Sequence, residues 1–255
     1  MLQQAYINEI FSGIQGEGLW VGFKQIFLRF SGCDLRCNWC DTPDSLSIKQ
    51  SSSYQIEEEP YSRSFYKLPN PVPIDHLAEL LIKLDHQSPH HSLSLTGGEP
   101  LLQIDSLKEL LEVLSQRNFV PQIFLETGGH RYAELRQIIH QVDLISFDLK
   151  LPSSTKERPL WDEHAQFIEV AEKTNCYAKV VVTNDTEIDD LKKACNLIKD
   201  KNIQLIIQPV SLVSNISVEL ISSVKLLKFH DEAISLLKPN FVRVIPQTHK
   251  ILGQL

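Results

Sequence analysis

The feature that most constrains this chain is a rhythm in which seven short β-branched or aromatic runs alternate with segments of helical apolar spacing. The runs are Ile26–Phe30, Ser92–Leu95, Gln122–Leu125, Asp143–Phe147, Ala178–Val182, Gln204–Ile207 and Phe241–Ile245. Between and after them lie Asp75–His86, Asp105–Asn118, Tyr132–Gln141, Asp162–Glu172, Asp185–Lys199 and Ser217–Leu237. Within Asp105–Asn118, Leu107, Leu110, Leu111 and Leu114 recur at three and four residues and lay one apolar stripe along a helix. Asp75, Asp105 and Asp185 stand where an N-cap oxygen accepts from a free backbone N–H. Parallel strands need long crossovers, and helices supply them, so the alternation predicts an α/β fold with helices outside parallel strands. A barrel and an open wound sheet both satisfy it.

One stretch breaks the rhythm. Residues 43–73 are rich in Ser, Pro and charge, with Ser51-Ser52-Ser53 and Glu57-Glu58-Glu59 inside. They read as an unpatterned, flexible insert, either a mobile lid or a disordered loop. The chain as a whole has ordinary globular composition, 42% apolar and 22% charged over 255 residues, so it can close a core without staples. The net charge of −7 argues against nucleic-acid binding. No apolar run approaches the ~18 residues of a membrane span, and the start, Met1 to Tyr6, lacks a basic region and an apolar region. The expected setting is the cytoplasm.

Chemistry concentrates at the strand ends. Ser31-Gly32-Cys33 follows the first run, Thr96-Gly97-Gly98-Glu99-Pro100 the second, and Glu126-Thr127-Gly128-Gly129 the third; later ends carry Asp148 and Lys150, Thr183-Asn184-Asp185, Gln208-Pro209 and Gln247. In barrels of parallel strands the loops at that end converge on one opening. Loops are polar in general, which weakens the pattern without erasing it.

Of five cysteines, Cys33, Cys37 and Cys40 fall at spacings of four and three, while Cys176 and Cys195 stand alone and read as buried, inert thiols. Three thiolates on one short loop suit three irons of a 4Fe–4S cluster and leave the fourth iron open to a small chelating ligand. A zinc site is the alternative; it lacks a second CxxC knuckle, and His90 or His249 would have to complete it.

The CxxxCxxC segment, joined by Gly97-Gly98-Glu99-Pro100, resembles the radical S-adenosylmethionine (SAM) superfamily. The flanks narrow the resemblance. Glu9 to Gly18 with its Ile14-Gln15-Gly16-Glu17-Gly18, Asp41-Thr42, Glu126 to Gly129, Asp148-Leu149-Lys150, Pro152-Ser153-Ser154 and the closing Arg243 to Lys250 are similar to the 7-carboxy-7-deazaguanine synthase family. The match runs from Asn8 to the C-terminus, interrupted mainly by the insert, and implies one radical SAM domain over residues 1–255 with a partial (β/α) barrel. Gly128-Gly129 departs from it, since a less flexible residue often precedes the final glycine.

The resemblance implies ring contraction of 6-carboxy-5,6,7,8-tetrahydropterin to 7-carboxy-7-deazaguanine with loss of ammonia, on the way to queuosine and other deazapurines. SAM is expected as a regenerated cofactor beside a 4Fe–4S cluster and Mg²⁺, with an electron donor such as flavodoxin and a homodimer. Site roles follow by position: Cys33, Cys37 and Cys40 for the cluster; Thr42 for Mg²⁺; Trp39, Cys40, Asp41, Gly98, Glu99, Asp148, Leu149, Lys150 and Gln208 for SAM. Ile14, Gln15, Gly16, Arg29 and Thr96 are expected on the substrate, Arg29 as the planar fork for its carboxylate, with Glu17 a further candidate at the pterin edge. Gly97 and Gly98 would let backbone approach the methionyl amine, which Glu99 would orient or bond. No catalytic side chain is expected beyond the cluster and the SAM radical. In some relatives the C-terminal carboxylate enters the substrate pocket, which raises the same question for Gly253-Gln254-Leu255. Another radical SAM enzyme, such as a glycyl-radical activating enzyme, would share the cluster and GGEP but has no need of IQGEG or CDT.

Overall fold

A computed structural model describes residues 3–48, 52–211 and 218–253. In chain order the elements are β1 (Gln4–Ala5), β2 (Ile7–Ile14), β3 (Lys24–Phe30), β4 (Ser53–Glu57), β5 (Phe65–Pro69), β6 (Val72–Pro73), α1 (Ile74–Gln87), β7 (Ser92–Gly97) and α2 (Ile104–Gln116). There follow β8 (Gln122–Thr127), α3 (Tyr132–Ile138), β9 (Leu144–Asp148), α4 (Pro152–Thr155), α5 (Trp161–Ala171) and β10 (Asn175–Val182). The last are α6 (Ile188–Ile198), β11 (Gln204–Pro209), α7 (Ser223–Leu237), β12 (Val242–Val244) and α8 (Thr248–Ile251).

The main sheet runs β12-β11-β10-β9-β8-β7-β3-β2-β4-β5, and β3 and β7 through β12 are parallel neighbours in chain order. With no reversal of strand order, right-handed crossovers put the helices on one face, the winding of a partial barrel. Consecutive helices pack there, α1 on α2, α3 on α5 and α6 on α7.

Period-two alternation divides each strand between two environments. Outward side chains such as Leu28, Leu95, Leu125, Ile145, Val180 and Leu205 form the main core beneath the helices. Inward ones near the strand starts, Phe124, Leu144, Tyr177 and Ile206, form a second apolar floor with Leu19, Trp20 and Ile245. Further along the same inward rows come Glu126, Ser146, Asp148, Lys179 and Gln208, which line a cavity. A plugged apolar base therefore leaves a polar mouth at the C-terminal ends of the strands.

Residues 43–73 differ from the loop expected of them: they contain a hairpin. β4 pairs in parallel with β2 and antiparallel with β5, and Tyr54 and Ile56 are buried. The Glu57 carboxylate accepts from the N–H groups of Ser12 (2.8 Å) and Arg63 (3.1 Å), tying the hairpin to the sheet. Two buried apolar positions among serines and glutamates give little periodic signal, and their partners in β2, Glu9 opposite Gln55 and Ile10 opposite Ile56, are far away in sequence. β2 itself is antiparallel to β3, an addition to the expected parallel set. Asp75 and Asp105 sit in the first turns of α1 and α2, not at the caps Pro73 and Gln103, and no carboxylate caps either helix. Asp185 precedes the α6 cap Glu187, and Asp75 binds Arg117 at 2.6 Å. α7 begins at Ser223; the expected start, Ser217, lies outside the described residues.

Candidate active site

The cavity at the strand ends measures about 420 Å³. It gathers Cys33, Cys37, Cys40, Trp39, Asp41 and Thr42 from the loop after β3, Ile14, Gln15 and Gly16 from the end of β2, Arg29, Thr96, Gly98 and Glu99 from β3 and β7, and Asp148, Lys150 and Gln208 from β9 and β11. Leu149 alone among the expected residues does not line it. Its side chain is in the main core and its N–H donates to the Lys179 carbonyl at 2.8 Å. His90, offered for zinc, bonds Ser12 and Asp85 away from the cavity, while His249 does line it.

The cysteine loop is held from both sides. At its base Gly32 N–H donates to Ser45 O (2.6 Å) and Cys33 N–H to Leu46 O (3.2 Å). Asp34 binds His130 (3.1 Å) and Arg131 (3.1 Å) in the turn after β8, which drives its pKa to about 2 against the opposing effect of burial. Opposite, Asn38 N–H donates to Thr155 O and Trp39 Nε1 to Ser154 Oγ, both at 2.9 Å. All three thiols are free, and burial pushes that of Cys33 up to about 11 and raises that of Cys37. An iron centre removes that penalty, because coordination deprotonates a thiol outright. Among the described residues no three His, Cys, Asp or Glu side chains converge on one metal ion. Three thiolates on one loop fit a cluster, which takes one thiolate per iron, better than a mononuclear zinc site, which wants a fourth ligand.

Gly97 and Gly98 are glycines for packing. Gly97 has φ +126°, and a Cβ there would lie 2.3 Å from the Phe30 carbonyl; one on Gly98 would lie 2.2 Å from that of Gly32. This close approach seats the cysteine loop on the end of β7. The Glu99 carboxylate accepts from Leu101 N–H (3.1 Å), Thr127 Oγ1 (2.8 Å) and Gly128 N–H (2.8 Å), fastening the ends of β7 and β8 together. Gly129 has φ +67° and no room for a Cβ beside Asp148 O, and its carbonyl accepts from His164 at 2.6 Å, so this turn is firmly seated.

A buried charge network fills the wall below. Lys179 Nζ binds Glu17 and stands 3.4 Å from Asp148, whose other oxygen is 2.5 Å from Lys150 Nζ. Burial alone would neutralise these groups, but the opposite charges win: Glu17 and Asp148 are lowered, and Lys150 and Lys179 raised. Lys150 also lies 4.8 Å over the Trp39 ring. Glu126 goes the other way, its pKa raised by burial and by Glu17, though Ser94 (2.5 Å) and Gln15 (3.2 Å) donate to it. Gln208 Oε1 is buried with no hydrogen bond, and Asp148 Oδ1 has only the ion pair with Lys179, so both are acceptors on the cavity wall open to a ligand's donors. They suit the ammonium and hydroxyls of SAM.

Arg29 reaches the cavity with its Nε donating to Glu9 at 2.7 Å. Thr42 precedes the turn Pro43–Ser45 without capping it through its hydroxyl, which stands 3.9 Å from Cys40 Sγ. Glu17, Glu126, Lys179, Gln247, His249 and Lys250 also line the cavity; of these the sequence offered Glu17 for the pterin edge and His249 for zinc, and gave the other four no role of their own. Glu17, Glu126 and the last three lie in motifs that carried the resemblance; Lys179, a lone charge among Ala178, Val180 and Val181, gives no such signal.

The superfamily description "Radical SAM superfamily" matches residues 28–207. The 7-carboxy-7-deazaguanine synthase of Geobacter sulfurreducens is 40% identical over 98% of each chain, and that of Thermococcus kodakarensis 33% identical over 97% of this chain and 98% of its own. Among solved structures, QueE from Escherichia coli superposes with TM-score 0.55 at 19% identity over 96% of this chain and 95% of that one, a likeness of fold. No helix among the described residues is long and apolar enough to cross a membrane. Fold, cysteine loop and near-full-length identity agree: this chain belongs to the 7-carboxy-7-deazaguanine synthase family of radical SAM lyases, and its cofactors are a 4Fe–4S cluster and SAM.

Proposed function

We propose that the chain contracts 6-carboxy-5,6,7,8-tetrahydropterin to 7-carboxy-7-deazaguanine with loss of ammonia. The observation that carries this is one cavity joining the cysteine loop to an inward arginine and to the amide side chains of Gln15, Gln208 and Gln247. When bound, the cluster and SAM would supply the radical hydrogen-abstraction chemistry that the contraction needs. Cys33, Cys37 and Cys40 hold the cluster. The backbone of Gly98 and the side chains of Asp148, Lys150 and Gln208 orient SAM, with Trp39, Cys40 and Asp41 beside it and Glu99 fixing the turn beneath. Arg29 takes the substrate carboxylate. Ile14, Gln15 and Gly16 read the pterin edge, Thr96 closes its side, and Glu126 offers its carboxyl to the ring's N–H groups. Thr42 would hold a Mg²⁺ ion, which would help to position the substrate carboxylate; one protein ligand suffices because Mg²⁺ keeps its waters. The working protein is a cytoplasmic homodimer reduced by a carrier such as flavodoxin.

The test is anaerobic incubation of reconstituted protein with SAM, reductant and the carboxytetrahydropterin, read by mass spectrometry. The product should exceed 5′-deoxyadenosine many-fold, since SAM is regenerated. One 5′-deoxyadenosine per product would mean that SAM is consumed and would overturn this reading.

A further inference from the structure

Residues 247–250 reach the cavity from the far end of the chain. Gln247 is 7% exposed and engages every polar atom of its amide. Its Nε2 donates to Glu17 Oε1 at 2.7 Å and to Asp41 Oδ2 at 2.8 Å, while its Oε1 accepts from Lys250 Nζ at 2.6 Å. The orientation is forced, because the reversed amide would turn its oxygen toward two carboxylates. Lys250 Nζ also reaches Asp41 Oδ2 at 3.2 Å. Next door, the N–H and hydroxyl of Thr248 both donate to the Gly16 carbonyl, at 2.9 and 3.1 Å. His249 packs so tightly over Gly16 that a Cβ there would lie 2.4 Å from it.

These anchors belong to two separate segments of the cavity lining. Glu17 continues the Ile14–Gly16 loop, whereas Asp41 lies between Cys40 and Thr42. Among the described residues, the Asp41 carboxylate takes hydrogen bonds only from Gln247 and Lys250. Gln247 and Lys250 therefore tie these two segments together directly. The geometry points to Gln247, backed by Lys250, as a positioning residue that sets the substrate loop in register with the SAM- and metal-side loop. The two ligands named rest on the function proposed above; the strap itself does not.

Gln247→Ala should lower kcat roughly 10- to 100-fold, the range expected when reacting groups shift by up to about 1 Å. KM for pterin and SAM should each stay within about twofold, because each ligand keeps its own contacts. Radical formation would then outrun productive capture, so 5′-deoxyadenosine per product should rise several-fold. Gln247→Glu, which adds a third carboxylate, should lose at least as much activity. Lys250→Arg should hold kcat within about threefold where Lys250→Ala does not. A raised KM with unchanged kcat, or a lower kcat with an unchanged 5′-deoxyadenosine ratio, would overturn the assignment. Amide exchange by mass spectrometry decides independently of substrate: in Gln247→Ala, residues 247–252 should exchange at least tenfold faster while β7 and β8 do not change. Unchanged exchange at 247–252 refutes the strap even if wild-type protein makes the product. Failure of the wild type to make the product refutes the function alone and leaves the exchange result to judge the strap.

Discussion

His164 offers a pH test of how the cavity wall is held. It is fully buried on α5 and lines no part of the cavity, yet its Nδ1 donates to Gly129 O at 2.6 Å and its Nε2 accepts from Lys150 N–H at 3.0 Å. Both bonds are made only by the neutral ring with its proton on Nδ1. Burial accordingly pushes its pKa from 6.5 down to about 4. The sign follows: the unfolded chain gains a proton below about 6.5, the folded chain only near 4, so stability falls with pH across that window. Going from pH 7.5 to 5.5 should remove about 1.4 kcal/mol at this one residue. For a chain of this size that is ~3–6 °C in melting temperature. The assay compares melting of the anaerobic, reconstituted wild type and His164→Gln at the two pH values. Glutamine keeps a donor and an acceptor but cannot titrate, and all other ionisable groups cancel in the difference. The variant should lose ~3–6 °C less than the wild type on acidification. Equal losses would refute the neutral-histidine bridge.

Other perturbations test the metal centre and the network. Replacing Cys33, Cys37 or Cys40 with Ala should abolish the brown colour and SAM cleavage, measured by absorbance and 5′-deoxyadenosine, while Cys176→Ala and Cys195→Ala should retain both. Thr42→Ala should lower turnover and blunt its response to Mg²⁺ with iron content near normal; superimposable Mg²⁺ titrations would remove Thr42 from the metal site. Lys179→Met should leave Glu17 and Asp148 buried without their shared cation, costing roughly 3–5 kcal/mol of stability in urea unfolding, in the range measured for broken buried pairs.

The parallel half of the fold was legible because β3 and β7 through β12 repeat one local pattern, and each predicted run overlaps its strand. The cysteine loop and GGEP were legible because their residues are contiguous. What escaped depends on distant partners. Tyr54 and Ile56 acquire meaning only against β2, whose own face is set by pairing with β3. Lys179 reads as an exposed charge on an apolar strand until Glu17, 162 residues away, meets it inside the barrel. Leu149 shows the reverse: it sits between Asp148 and Lys150, which face the cavity, but period two turns its side chain into the core.

Ser12, His90 and Asp85 show that geometry alone does not make a catalytic triad. Ser12 Oγ is 2.8 Å from His90 Nε2, and His90 Nδ1 is 3.2 Å from Asp85 Oδ1, the order of a nucleophile, its base and the group that orients the base. Ser12, however, is 1% exposed, and its own N–H is spent on the Glu57 carboxylate instead of facing an oxyanion. Burial also lowers the His90 pKa. The three residues instead join β2, the end of α1 and the approach to β7, with Glu57 adding the hairpin. A fluorophosphonate probe should therefore leave Ser12 unlabelled in native protein, as read by peptide mass spectrometry. Ser12→Ala should instead lower stability by ~1–3 kcal/mol, because it strands the buried His90 nitrogen. Stoichiometric labelling of Ser12 in folded protein would refute this reading and make the triad a reactive site.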